Sequence, residues 1–236
     1  MTRLEASATD SSREEPAGAA GVPAEVVSAL VGDPVEVAPR LLGAVLTVSS
    51  PQGAVSVRLT EVEAYRGETD PGSHAHRGRT ARNASMFEAA GVVYVYFTYG
   101  MHYCVNLVCG PAGLPRAVLL RGGEVTDGLE LARRRRQAAH VDRDLARGPA
   151  RLCQALGLTR DDDGARLGPP RSRISLALPE PGRELGSGRL RTGPRTGVAG
   201  PGGDGSAYPW RFWIDGEPTV SPYKPARPRT RRRDAG

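Results

Sequence analysis

The sequence is short of lysine. Of 32 lysine and arginine residues only Lys224 is a lysine. Chemistry that needs a Schiff-base amine therefore has one side chain, besides the N-terminal amine, to draw on. Cysteine is scarce as well: Cys104, Cys109 and Cys153 form no C-x-x-C pair and are odd in number. That argues against a disulfide framework and against a thiolate zinc site, and a cytoplasmic address follows as the default expectation. No apolar run approaches the roughly 20 residues a membrane span needs. The N-terminal stretch MTRLEASATDSSREEPAGAAG lacks the apolar segment of a secretory signal.

What is present is a 236-residue chain with 39% hydrophobic residues, long enough to bury a core. Its formal charge of +6 rests almost wholly on arginine. Such a chain attracts polyanions such as nucleic acid, although arginine enrichment can also follow base composition. Residues 1–20 read as a disordered tail, 21–222 as one domain and 223–236 as a basic, proline-broken tail. The Gly-, Pro- and Arg-rich stretch 180–206 reads as a long loop.

Strand signals dominate. The runs 44–48, 54–64, 92–98, 103–109, 117–123, 173–178 and 210–214 are rich in β-branched or aromatic residues. Helical signals are short: AEVVSAL after Pro23, a second start at Asp33-Pro34 limited by Pro39, and ARLCQAL between Pro149 and Gly157. Asp127 with Glu130 resembles a capping box opening LELARRRR. Strands without regular helical crossovers favour an antiparallel or mixed α+β domain over a doubly wound one.

Residues 55–65, VSVRLTEVEAY, pose a question. Val55, Val57 and Leu59 share one strand face, and Glu61 and Glu63 continue that parity. A regular strand would aim both carboxylates inward, which is costly unless they are paired. Either they form structural ion pairs or a bulge redirects them, or one is held in a pocket to activate water.

The following loop, GETDPGSHAHRGRTARNASMF, carries His74, His76 and three arginines. No third and fourth metal ligand accompanies His-x-His at a recognisable spacing, so neither metal nor cofactor is expected. Arginine forks suit phosphate oxygens. In GVVYVYFTYGMHYCVNLVCG two strands flank Tyr99-Gly100-Met101-His102, a β-hairpin with an aromatic at its tip. A side chain placed there can wedge between stacked bases.

Together these blocks, with AVLLRGGEV and GPARLCQAL after them, resemble the alkyladenine (3-methyladenine) DNA glycosylase family, of the mammalian alkyladenine type with bacterial relatives. The resemblance spans about residues 24–220. It implies an α+β (mixed) fold, a single domain around a curved antiparallel β-sheet with a protruding hairpin that enters duplex DNA, and excision of damaged purines by base flipping. On that pattern Glu63 activates the attacking water and Arg121 helps position it. Tyr65, His74 and Tyr96 stack on the flipped base, and Asn106 crowds the guanine amine. Tyr99 fills the gap in the duplex with support from Met101, while Arg79 and Arg82 contact phosphates. It also implies a monomer acting on duplex DNA containing damaged purines, nucleoid-associated through that DNA, with no membrane partner. With Lys224 beside a loose tail, a monofunctional hydrolase is expected rather than a strand-nicking lyase. The competing reading is a non-catalytic damaged-DNA-binding module. The chain departs from the family at Pro39, at His102, in a loop one residue shorter between His74 and Met86, and across 180–206.

Overall fold

A computed structural model describes residues 22–98, 100–168, 172–179 and 188–226. Eight strands form one antiparallel sheet: β1 (Val45–Ser50), β2 (Gly53–Tyr65), β3 (Val93–Thr98), β4 (His102–Val108), β5 (Ala117–Asp127), β6 (Ile174–Ala177), β7 (Leu190–Gly193) and β8 (Arg211–Ile214). The order is β3-β4-β5-β2-β1-β6, with β8 alongside β2 and β7 alongside β8. The helices α1 (Ala24–Leu30), α2 (Pro34–Arg40), α3 (Leu129–Arg135) and α4 (Pro149–Leu156) complete an α+β domain. Among the described residues no helix is long and apolar enough to cross a membrane.

The short helices have local causes. Asp33 accepts the Val35 N–H at 3.0 Å and caps α2, whose last turn contains Pro39. The loss of a backbone donor at that proline suits a helix about to end. Two expectations fail. Asp127 caps nothing: it ends β5, and α3 starts behind Gly128 at φ 71°. A Cβ on Gly128 would lie 2.1 Å from the Ala54 carbonyl oxygen, so the glycine alone permits the turn. The stretch 180–206 is also not all loop, because β7 pairs with β8 there. Leu190, Arg191 and Thr192 are all exposed, so β7 carries no apolar alternation to betray it.

The sheet has two distinct faces. One packs into the main core through Leu46 and Val48, Val93 and Val95, Val105 and Leu107, Val118 and Leu120, and Phe212 and Ile214. On the other face lie Tyr94 and Tyr96 of β3, Cys104 and Asn106 of β4, and Leu119 and Arg121 of β5. That face holds a smaller cluster of Ala75, Met86, Val92, Tyr94, Val108 and Ala117.

β2 changes its allegiance halfway. Val55, Val57 and Leu59 belong to the main core, but so do Val62 and Ala64. Odd parity gives way to even because the register with β5 slips on both sides of Glu61. Leu59 pairs with Gly123, Glu61 with Gly122 and Val62 with Leu120, so each strand absorbs an extra residue, Thr60 and then Arg121. The other neighbour of β2 changes there too, from β1 to β8. Gly122 and Gly123 make the irregularity possible: a Cβ on Gly123 would lie 2.4 Å from the Arg58 carbonyl oxygen.

The inward parity expected for Glu61 and Glu63 is therefore corrected. Past the bulge both glutamates lie on the face opposite the main core, the face that Arg58 occupied earlier in the strand.

Candidate active site

That second face carries a cavity of about 410 Å³. Tyr65, His74, Tyr96, Asn106 and Arg121 all line it, although they come from four strands and a loop. A cross-strand row explains the convergence: Glu63 pairs with Leu119, Leu119 with Asn106, and Asn106 with Tyr94. Side chains opposite one another in a ladder share a face.

The aromatic part is tightly built. The His74 and Tyr96 rings meet edge-on with centroids 4.5 Å apart, and Tyr94 lies 5.6 Å from Tyr96. The Tyr94 hydroxyl is 3.3 Å from His74 Nδ1. Enclosure of its ring, reinforced by the positive charge of Arg82, holds the His74 pKa below the ordinary imidazole value. Near neutral pH it is an uncharged ring. Burial likewise pushes Tyr94 up to about 12 and Tyr96 well above the ordinary phenol value. This aromatic part of the wall is thus neutral. Asn106 is buried and donates to the Tyr94 carbonyl at 3.1 Å, which fixes its amide.

Glu63 is buried behind this wall with no exposed surface. Its Oε2 accepts from the Tyr65 hydroxyl at 2.8 Å. Its Oε1 accepts from the Thr196 N–H at 2.7 Å and lies 3.3 Å from Arg121 Nη1. Tyr65, Arg121 and Thr196 line the cavity and Glu63 does not. The carboxylate is one side chain removed from the open space. Burial, and then the negative charge of Glu63, drive the Tyr65 pKa far above its usual value, so the phenol keeps its proton and donates.

Glu61 lies in a different setting. Its Oε1 accepts from Arg121 Nε at 2.9 Å, Arg211 Nε at 2.7 Å and the Ser221 hydroxyl at 2.9 Å. Its Oε2 accepts from the Ser221 N–H at 2.7 Å. Burial alone would raise its pKa, but Arg121, Arg211 and Ser221 outweigh burial and leave it lowered.

Several residues of this region carried no local signal. Asp70 and Arg195 form a fully buried bidentate pair at 2.6 and 2.7 Å. The Arg195 guanidinium lies 4.6 Å from the Tyr65 ring and donates to the Ala64 carbonyl at 3.0 Å. The pair pins the 195–198 segment over the cavity and so delivers Thr196 to Glu63. The Thr196 hydroxyl is buried and has no hydrogen-bond partner among the described residues. Asn83 braces the histidine loop by donating to the carbonyls of His74 and Gly78. Asp70 and Arg195 are 125 positions apart. Only the arginine richness of the chain hinted that buried carboxylates would find partners.

The remaining candidates do not line the cavity among the described residues. Met101 is 69% exposed beside the hairpin turn, and Tyr99 lies outside the described residues. Arg82 donates to the Phe97 carbonyl at 3.0 Å and reaches the Tyr96 ring, and Arg79 lies over Phe87. Lys224 is exposed but is not in a loose tail: its carbonyl accepts the Gly197 N–H at 2.9 Å, and Gly197 lines the cavity.

The fold and this cavity define a class: an α+β domain whose sheet bears, on one face, an aromatic cavity with an acid behind it. The chain matches the family described as methylpurine-DNA glycosylase over residues 28–218, and it belongs to that family. It is 55% identical over 197 residues to a protein of Streptomyces avermitilis, covering 84% of this chain and 90% of that one. A Leifsonia xyli protein is 57% identical over 201 residues (83% and 91%), and a Nocardia farcinica protein 49% over 203 (84% and 91%). Each of the three is named "Putative 3-methyladenine DNA glycosylase". The chain is a DNA glycosylase of the kind that processes alkylated bases.

Proposed function

We propose that the chain excises alkylated purines, chiefly 3-methyladenine, from duplex DNA by hydrolysing the N-glycosidic bond with water activated at Glu63. The observation that carries this reading is the fully buried Glu63 carboxylate, bonded to three residues that line an aromatic cavity. The reacting sugar carbon is hidden in stacked DNA, so the nucleotide must leave the helix to reach such a site. Neutral, electron-rich rings of Tyr65, His74 and Tyr96 suit an electron-poor alkylated purine. Asn106, fixed by its bond to Tyr94, disfavours the exocyclic amine of guanine. Tyr99 fills the vacated place with support from Met101, and Arg79 and Arg82 contact phosphates.

Bond cleavage develops positive charge on the sugar. A carboxylate next to it stabilises that charge and accepts a proton from water. Access to Oε2 requires the Tyr65 hydroxyl to yield its place, and a base stacking on the Tyr65 ring is the natural cause. A 3-methylated purine is already cationic and leaves without further protonation, so no general acid is assigned. Lys224 is exposed and lacks the apolar enclosure that activates a lysine amine, which favours hydrolysis without strand cleavage.

The test is methylated duplex DNA with wild-type protein and with Glu63→Gln. The wild type should release methylated purine and leave an intact strand with an abasic site. Glu63→Gln should still bind damaged duplex but release base about a thousandfold more slowly. Retained release would remove Glu63 from the reaction. Absence of release from the wild type would favour a damage-binding module. A protein–DNA adduct trapped by borohydride would overturn the hydrolytic assignment.

A further inference from the structure

Glu61 has no surface and does not reach the cavity, yet it holds a residue that does. Arg121 is shared by both carboxylates. Its Nε is committed to Glu61 at 2.9 Å, while its Nη1 stands 3.3 Å from Glu63. Nη2 contacts the Ser221 hydroxyl at 3.3 Å, and that hydroxyl also donates to Glu61. The shorter bond belongs to the carboxylate that does not face the cavity. Arg211 is the counterweight: it donates to Glu61 at 2.7 Å and to the Ser221 carbonyl, and it packs against Trp213.

We infer that Glu61 is a positioning residue which, by competing for Arg121, sets how strongly that guanidinium engages Glu63. This rests on Glu63 being the base. A guanidinium free to form a full bidentate pair with Glu63 would occupy both oxygens and blunt their basicity. Tethered at Nε, Arg121 offers Glu63 one longer contact. The four buried groups, two acids and two guanidiniums, balance in formal charge.

Every charged or titratable group facing Glu63 enters the test. From β2 these are Glu61 and Tyr65, from β5 Arg121, from β8 Arg211, from the 195–198 segment Arg195, and from the β3–β4 hairpin Tyr96 and Cys104. Tyr65, Tyr96 and Cys104 stay protonated, because burial raises all three. Arg195 pairs with Asp70 and carries Thr196, a direct partner of Glu63, so the charges altered in the test are Glu61 and Arg211.

The experiment is single-turnover excision from a methylated duplex as a function of pH. The cationic leaving base does not titrate in the acidic range, so the acid limb reports the protein. Glu61→Gln leaves a cationic excess and frees Arg121 for Glu63, and should move the limb to lower pH by roughly one unit. Arg211→Gln leaves Glu61 to Arg121 alone and an anionic excess, and should move it to higher pH. The double variant restores the balance and should return the limb towards wild type. Thermal melts give the folded fraction, and either single variant that folds decides. A limb that stays in place, or moves the same way in both variants, overturns the inference and leaves Glu61 a purely structural anchor. Glu63→Gln in parallel separates the two failures. Full activity there sinks the base assignment. An inactive Glu63→Gln beside unmoved limbs sinks only the role of Glu61.

Discussion

Glu61 and Glu63 sit two residues apart on one face of one strand, and both are completely buried. Glu61 is saturated: two arginines and a serine satisfy its oxygens, and no part of it meets the cavity. Glu63 is held more lightly, by a phenol, a backbone N–H and one longer arginine contact, and each of these comes from the cavity wall. Identical chemistry thus takes two roles through its partners. A carboxylate locked by two cations resists protonation, whereas one held by two neutral donors and a single longer cation contact has a partner that water can replace.

The comparison is broken most sharply by paired amide and alanine variants. Glu63→Gln preserves shape and should lower base release by about a thousandfold, within the usual range for loss of a general base, with little change in unfolding free energy. Single-turnover kinetics and urea denaturation check the two halves. Glu61→Ala should do the reverse first. It leaves Arg211 buried without a carboxylate partner and Arg121 with Glu63 alone, and should cost about 3–5 kcal/mol in denaturant unfolding. If Glu63→Gln proved the more destabilising variant, the division of labour would be wrong.

A smaller effect concerns the bulge that sets both acids on this face. Gly123→Ala places a methyl against the Arg58 carbonyl and Val57, and should destabilise by about 1–3 kcal/mol. Gly78→Ala, with φ 85° but open space around it, should show backbone strain alone, of about 1 kcal/mol. Equal losses at the two positions would show that close packing at the bulge matters little.

The smallest effect is a slope. The Glu61 pKa is lowered in the folded state, so the unfolded chain binds more protons in acid. The stability it contributes is complete above the ordinary value of 4.5 and declines as pH falls below it. The loss cannot exceed about 1.4 kcal/mol per pH unit for a single group. Glu61→Gln should flatten the stability–pH curve in that window. An unchanged slope would mean that Glu61 is no more tightly held than an exposed acid.

Much of this arrangement is legible in the sequence. The strand runs, the hairpin turn and the Pro-to-Gly limits of α4 are local patterns, and they appear close to where the residues put them. Tyr65, His74, Tyr96 and Asn106 were picked out through a family resemblance, and the ladder of β2 through β5 explains how distant residues share one cavity. The parity of Glu61 and Glu63 could not be read. Alternation assumes an unbroken ladder, and the slip depends on Gly122 and Gly123 some sixty positions away. Nor could Arg195 and Thr196 be seen. They lie in a stretch without periodicity, and their importance comes from Asp70 and Glu63, more than a hundred positions distant.

The slip in β2 also means that the direction of this strand's second half depends on room made on its neighbour. Were the bulge straightened with the chain length unchanged, Val62 and Ala64 would swing out of the core and the two acids would swing in, as a misthreaded screw puts every later turn on the wrong side. The space for the extra residue lies at Gly122 and Gly123 of β5, so in divergent copies of this protein the orientation of one strand is guarded by two glycines of another.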